Sequence, residues 1–319
     1  MHEPHRYPGK HFSPRHLYLR SFILSFCISL LALMSLGAMV LARGDLLELR
    51  RDVSGENTDA AQVLGNAQEV PISSPSLTAA REEDALTVLI MGRKDEQSVS
   101  NTYLLVRFDP AQGRIPVLCL PPQTMVVKPQ GDSTPISLSQ AYSFGGQALA
   151  VQGLENTLGI EIDRYAVVEV QPFVEIASMF GPIQYLLGHN LSFQDEERSI
   201  QLSKGMQLVD GQKAVDIVTY PLYPGGEGTR AEITGALAVQ IINTHLSLIS
   251  SPTADSLFKG VINRISTDIT YLDFEQRRRM AAEMATLSPA VQLFTEGGFD
   301  AQGGYLLSEK SLEQIRQYF

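Results

Sequence analysis

Apolar positions along the chain fall into three regimes. From Ser21 to Ala42 runs SFILSFCISLLALMSLGAMVLA, 22 residues without a charge. At about 1.5 Å per helical residue the run is about 33 Å long, enough to cross a bilayer core, so it predicts a transmembrane helix. From Arg43 to Asp84 no apolar period persists, and Asp, Glu, Ser, Asn and Gln surround Pro71 and Pro75. That is the composition of a stalk. From Ala85 onward apolar strands alternate with helices, and no internal repeat is found.

Within residues 85–319, Ala85–Met91 is a continuous apolar run, as expected of a strand inside a sheet. Tyr103–Phe108 and Arg114–Leu120 are joined by Asp109, Pro110 and Gly113 and predict a hairpin. Helices are expected over Gln147–Leu158 and Pro172–Phe180, each stopped by a glycine, Gly159 and Gly181, with a strand over Arg164–Val170 between them. Ile183–Leu187 and Ser199–Leu202 read as strands and Gly211–Val218 as a helix. Thr229–Ile249 is the longest helical pattern, with Thr229 and Glu232 as a capping box. Helices near Ala254–Ile265 and Phe274–Leu287, a strand over Val291–Thr295 and a helix over Ser311–Tyr318 with a Ser311/Gln314 cap complete the chain. The sum is a single α/β domain with a mixed central sheet flanked by helices.

Charge orients this arrangement. Arg6, Lys10, Arg15 and Arg20 precede the apolar run against Glu3 alone, giving 4 − 1 = +3. The positive-inside rule then puts residues 1–20 in the cytoplasm, 21–42 in the membrane, 43–84 in an external stalk and 85–319 in an extracytoplasmic domain. A cleaved signal peptide is the competing reading, given Val40 and Ala42. Signal cores run about 7 to 15 residues, so the longer run favours an uncleaved single-pass anchor. The whole chain carries a net charge of −10, which argues against a nucleic-acid partner. With only Cys27 and Cys119, and four of six histidines in the first twenty residues, neither a disulfide framework nor a histidine-rich metal site is expected.

Generic catalytic motifs are absent: there is no nucleophile elbow, phosphate-binding glycine loop with Lys, or helical His pair. Gly225, Gly226 and Gly228 precede a helix, where they either hold an anion or simply connect. Arg277, Arg278 and Arg279 read as a solvated helix face, paired in part with Glu275 and Glu283.

Several segments together resemble one family: VLIMGR at 88–93, SNTYLLVRFDPAQGRIPVLCLPPQT at 100–124, AYSFGG at 141–146, LENTLGIEIDRYAVVEVQPFVEIASMFG at 154–181, LVDGQKAVDIV at 208–218 and STDIT at 266–270. From Ala85 onward the chain is similar to the LytR-CpsA-Psr domain of cell-envelope proteins. The resemblance implies transfer of a glycopolymer from a polyprenyl pyrophosphate to peptidoglycan, with arginines and a carboxylate-held Mg²⁺ at the pyrophosphate and an apolar pocket for the lipid.

This chain departs from that pattern. The family's Asp-Thr after the first strand is Asn101-Thr102 here, and its Pro-Arg-Asp-Thr is Pro121, Pro122, Gln123 and Thr124. The Arg-Ser-Arg run is Thr219, Tyr220 and Pro221, and the Arg-Gln pair falls near Ile233 and Thr234. Arg230 is retained, and Arg93 offers a second cation. Neutral side chains replace both guanidinium forks and metal-ligating carboxylates. The resemblance therefore implies a pyrophosphate site at Arg230, Arg93, Asn101 and Gln123, with no metal ligands of its own and Mg²⁺ only by analogy. The expected function is a membrane-anchored pseudoenzyme that binds a polyprenyl-linked or cell-wall polymer ligand or a partner. The alternative is a divergent transferase with a rearranged cation set, in which Arg107, Arg114, Lys128 or Lys204 replaces the missing arginines.

Overall fold

The computed structural model describes residues 84–128 and 134–319, which fall in one compact unit, Ser73–Phe319. The expected cytoplasmic tail, the span and residues 43–83 of the stalk lie outside the described residues.

A six-stranded mixed sheet forms the centre. Its strands are β1 (Leu86–Arg93), β2 (Thr102–Phe108), β3 (Ile115–Leu120), β6 (Arg164–Glu169), β11 (Ser266–Thr267) and β12 (Ala290–Gln292), in the order β11-β6-β1-β2-β3-β12. The apolar run at 86–91 occupies an interior position, antiparallel to β2 and parallel to β6. β2 and β3 form the expected hairpin, with Tyr103 opposite Leu120. Short pairs β4 (Met125–Val126) with β5 (Ile136–Ser137), and β13 (Gly297–Phe299) with β14 (Tyr305–Leu307), lie outside this sheet.

Alternation along the strands divides the core. Leu89, Met91, Tyr103, Leu105, Leu118 and Leu120 pack on Ala150, Leu154 and Leu158 of α1 (Leu138–Leu158) and Ile315 of α7 (Glu309–Tyr318). On the opposite face Leu104, Ile115 and Val117, with Ile90 and Cys119, meet Ala238 and Ile242 of α4 (Gly226–His245) and Met284 of α6 (Tyr271–Met284). Period-two strands buried on both faces require such helix layers.

A second cluster lies beside the sheet. Here β7 (Ile183–Leu187) pairs with β10 (Gly205–Val209), enclosing the hairpin of β8 (Leu191–Gln194) and β9 (Ser199–Leu202). Ile183, Leu187, Leu191, Ile200 and Val209 pack on Ala214 and Ile217 of α3 (Gly211–Val218) and Leu237 of α4. Gly211 allows α3 close to α2 (Val170–Phe180), since a Cβ there would meet the Val174 Cα at 2.9 Å. α5 (Ala254–Ile262) follows α4 and a 3₁₀ turn.

Several boundaries differ from the sequence reading. α4 starts at Gly226 from a left-handed Gly225 without a side-chain cap, so Thr229 and Glu232 lie inside the helix and form no capping box. The terminal helix is capped by Ser308, which accepts from the Ser311 N–H, rather than by Ser311. α1 begins at Leu138 from a Ser137/Gln140 capping box and breaks at Gly145–Gly146, where only the second segment carries the expected pattern. β12 ends at Gln292, two residues after Ala290, so the expected strand at Val291–Thr295 is shifted. The arginine triplet is not a plain solvated face. Arg277 donates to the Asp84 and Ala85 carbonyls and Arg278 to the Ile249 carbonyl, while Arg279 pairs with Glu283 on the surface.

Gly226–Ser250 is long and apolar enough to cross a membrane by composition. Few of its residues are fully buried: its apolar side chains face the sheet, the β7–β10 cluster and, from Ile241 to Ile249, an apolar cavity.

Candidate functional site

The register brings the candidate residues to one edge of the sheet. β1 and β6 run parallel and end at Arg93 and Glu169, opposite each other. β2 starts and β3 ends at the same edge, so the Asn101 and Gln123 loops adjoin there. This is the carboxyl end of β1, β3, β6 and β12, where open α/β sheets place ligands.

Arg230 stands in the first turns of α4. Its Nη2 donates to the Asn101 carbonyl at 3.2 Å and its Nη1 to the Val218 carbonyl at 3.4 Å, while Nε and Nη2 both engage Glu227. Asn101 N–H in turn donates to the Gly92 carbonyl at 3.0 Å, so Arg230 is tied to the residue before Arg93. Arg93 pairs with Glu169 at 2.7 Å and reaches the Glu96 carbonyl. Burial lowers its proton affinity, but the hydrogen bonds to Glu169 and Tyr142 and their electrostatic attraction together outweigh this and leave it raised. Gln123 forms no hydrogen bond with either arginine. Its backbone carbonyl accepts from Tyr305 N–H at 2.9 Å, while its side-chain oxygen is buried with no hydrogen-bond partner.

Sequence reasoning missed Arg198. From the β8–β9 turn, its Nη1 donates to Thr219 Oγ1 at 2.7 Å and its Nη2 to the Thr219 carbonyl at 3.1 Å. The Phe193 ring lies 5.4 Å from the guanidinium carbon. A guanidinium thus stands where the resemblance places an arginine run on the α3–α4 connection. Beside it Glu197 pairs with Lys94 at 2.8 Å, linking the β8–β9 turn to the β1–β2 loop.

The alternatives weighed in the sequence lie elsewhere. Arg107 donates to Thr87 Oγ1, near the start of β1, and Arg114 is held by Asp109, the Gln317 carbonyl and the Tyr318 ring. Both are at the opposite edge of the sheet. Lys204 lies on the turn before β10. Cys119 sits below Arg230 on the α4 side of the sheet, and burial pushes its thiol up to about 12, so it is a packing residue.

The donor set does not suit a resident Mg²⁺. Asn101 and Gln123 carry no charge, Glu227 and Glu169 are each engaged by an arginine, and no group of three His, Cys, Asp or Glu among the described residues converges as a metal site.

Beyond the polar edge lies an apolar cavity of ≈ 390 Å³. Phe173, Ala177, Ile183, Ile241, Leu257 and Phe274 are among its lining residues, and His245 and Asp210 are its titratable ones. Burial holds the His245 imidazole below its ordinary value, partly offset by a bond to the Gly181 backbone. One helix joins both parts. Arg230 is near the start of α4, and Ile241, 241 − 230 = 11 residues on, lines the cavity about 16 Å along the axis.

The protein is an α/β domain with guanidinium groups at the carboxyl edge of its sheet and an apolar cavity along the adjoining helix. The chain belongs to the LytR_cpsA_psr family, whose profile matches residues 51–317. It is 24% identical over 216 residues to the polyisoprenyl-teichoic acid–peptidoglycan teichoic acid transferase TagU of Enterococcus faecalis, covering 66% of this chain and 70% of that protein. It is also 24% identical over 194 residues to TagU of Bacillus subtilis, covering 60% of this chain but 62% of that relative's length. The solved structure of B. subtilis TagV superposes with a TM-score of 0.63 at 19% identity, covering 75% of this chain and 96% of TagV, a likeness of fold.

Proposed function

We propose that this is a membrane-anchored extracytoplasmic protein of the cell envelope that holds a polyprenyl-linked cell-wall glycopolymer and has lost or weakened transfer activity. Its relatives are named as teichoic acid transferases acting between a polyisoprenyl carrier and peptidoglycan, which supports a cell-wall glycopolymer as the ligand class. In this reading residues 1–20 are cytoplasmic, 21–42 span the membrane and 43–84 form the stalk. The pyrophosphate lies at the sheet edge against Arg230 and Arg198, near Arg93 and Asn101, and the hydrocarbon enters the cavity.

The observation that carries this reading is the single helix connecting Arg230 to the cavity. Guanidinium forks match phosphate oxygens, and each buried methylene adds about 0.8 kcal/mol. The ligand must compete with Glu227 for Arg230, and the 35% exposure of the Glu227 side chain gives it a route to solvent.

Arg198 favours the second reading, a divergent transferase, since it supplies a guanidinium at a position where the family pattern is lost. Turnover decides between them. Full-length protein in detergent with a lipid-linked glycopolymer and peptidoglycan acceptor is expected to bind the donor without releasing polyprenyl phosphate. Release that disappears in Arg198→Ala and Arg230→Ala establishes the transferase instead.

A further inference from the structure

The outer face of the β7–β10 pair breaks the usual rule for a sheet with one face in water. Met206 stands opposite Leu186, and Leu208 opposite Gln184, so these four side chains share a face. Three are apolar, and Leu186, Met206 and Leu208 are 66%, 62% and 57% exposed. The other face, with Ile183, Leu187 and Val209, is buried. The Ile183–Val209 pair also lines the cavity, so the exposed apolar face begins one residue from the cavity wall.

We propose that this face docks on an anionic bilayer, placing Leu186, Met206 and Leu208 in the headgroup boundary. The inference rests on the anchored reading of Ser21–Ala42. Forty-one residues (83 − 42) separate that run from the described domain. A chain of that length can span at most about 140 Å, well beyond the roughly 45 Å diameter of a domain of this size, so the tether lets the face reach the membrane. Tethering at such lengths gives effective concentrations on the order of millimolar, and a few apolar side chains then suffice for docking.

Charge favours the bilayer over a second copy or a protein partner. Lys204 opens the turn into β10, and Lys213 donates from its ammonium to the Leu208 carbonyl at 2.8 Å. Across 203–213 the balance is two lysines against Asp210, in a chain whose net charge is −10. Cations flanking exposed apolar side chains match anionic headgroups above acyl chains. The bound face would also bring the cavity to the surface from which its lipid must come.

The chain contains no tryptophan, so one introduced Trp reports a single position. Met206→Trp and, separately, Phe299→Trp on the separate β13–β14 hairpin are placed in the full chain and reconstituted into vesicles of phosphatidylcholine and phosphatidylglycerol containing brominated acyl chains. Met206→Trp is expected to be blue-shifted and quenched at least twofold more than Phe299→Trp, with the excess lost in Lys204→Glu/Lys213→Glu. Leu208→Trp provides a second reporter should Met206→Trp fold poorly. Flotation with equal quenching at the two sites overturns the proposal alone. A chain that does not float overturns the anchored reading and the proposal together. Shielding of Met206→Trp in detergent that tracks dimer formation assigns the face to a second copy and likewise overturns the proposal.

Discussion

Arg198 and Thr219, 21 residues apart in sequence, are joined by two hydrogen bonds of 2.7 and 3.1 Å that put a guanidinium on the connection leading into α4. With the Phe193 ring beneath it, this arginine is held in place before any ligand arrives. Pre-positioned forks lose less freedom on binding than free side chains.

The first prediction follows from that contact. Arg230→Ala and Arg198→Ala are each expected to weaken binding of a soluble-chain polyprenyl pyrophosphate about 10- to 100-fold, the loss of a charged hydrogen-bond set worth about 1.5 to 3 kcal/mol. Arg198→Lys should recover little, because an ammonium cannot reproduce the fork. Isothermal titration measures both. Because the donor set lacks metal carboxylates, chelation by EDTA is expected to leave the wild-type constant unchanged.

Filling the cavity separates tail from headgroup. Val261→Trp projects a large side chain into the ≈ 390 Å³ space from α5. Binding of long-chain polyprenyl phosphate is expected to fall at least tenfold, while affinity for inorganic pyrophosphate and the Tm stay close to wild type. Equal loss of both ligands would place the hydrocarbon elsewhere.

His245 gives the cavity a pH dependence. Its folded value lies below the ordinary one because burial disfavours the cation. The unfolded chain therefore binds the proton first, and stability falls as pH drops below about 6.5, levelling out beneath the folded value. Thermal melts between pH 7.5 and 5 should show this loss, and His245→Leu should reduce it.

Stability at the other end of the domain depends on Asp273, which receives Arg164 through bonds of 3.0 and 3.1 Å and caps its own helix through Thr270. Burial raises the carboxyl but the bonds from Arg164 and Thr270 prevail, so it lies below the ordinary value. Its contribution is present above about pH 4 and is lost as pH falls through the folded value. Asp273→Asn is expected to cost about 2 to 4 kcal/mol at pH 7, less than breaking a fully buried pair because Arg164 is 34% exposed. Chemical denaturation at pH 7 and pH 3 should show the difference narrowing in acid.

The sheet was legible wherever apolar runs were dense, as in β1, and where turn formers separated two runs, as between Phe108 and Arg114. Short strands escaped notice. Gly205–Val209 alternates apolar and polar residues but opens with glycine, and its partner lies across an inserted hairpin. Arg93, Asn101 and Gln123 reached one sheet edge because they stand at or beside strand ends there, and Arg230 joins them from the start of α4, whereas Arg198 follows Asp195, Glu196 and Glu197 and reads as part of a solvated acidic turn. Its importance lies in a contact that no local spacing encodes. The cavity was equally hidden, since the surplus of apolar residues from Ile241 to Ile249 has the same pattern whether it meets side chains or open space.

α4 is continuous from Gly226 to His245, so the separation between Arg230 and the cavity behaves as a fixed calibration. A ligand is gauged by how far its charge stands from the onset of its chain. Inserting four residues after Ala236 would lengthen this separation by about 6 Å and turn the cavity-lining residues by about 40°, altering which amphiphiles fit.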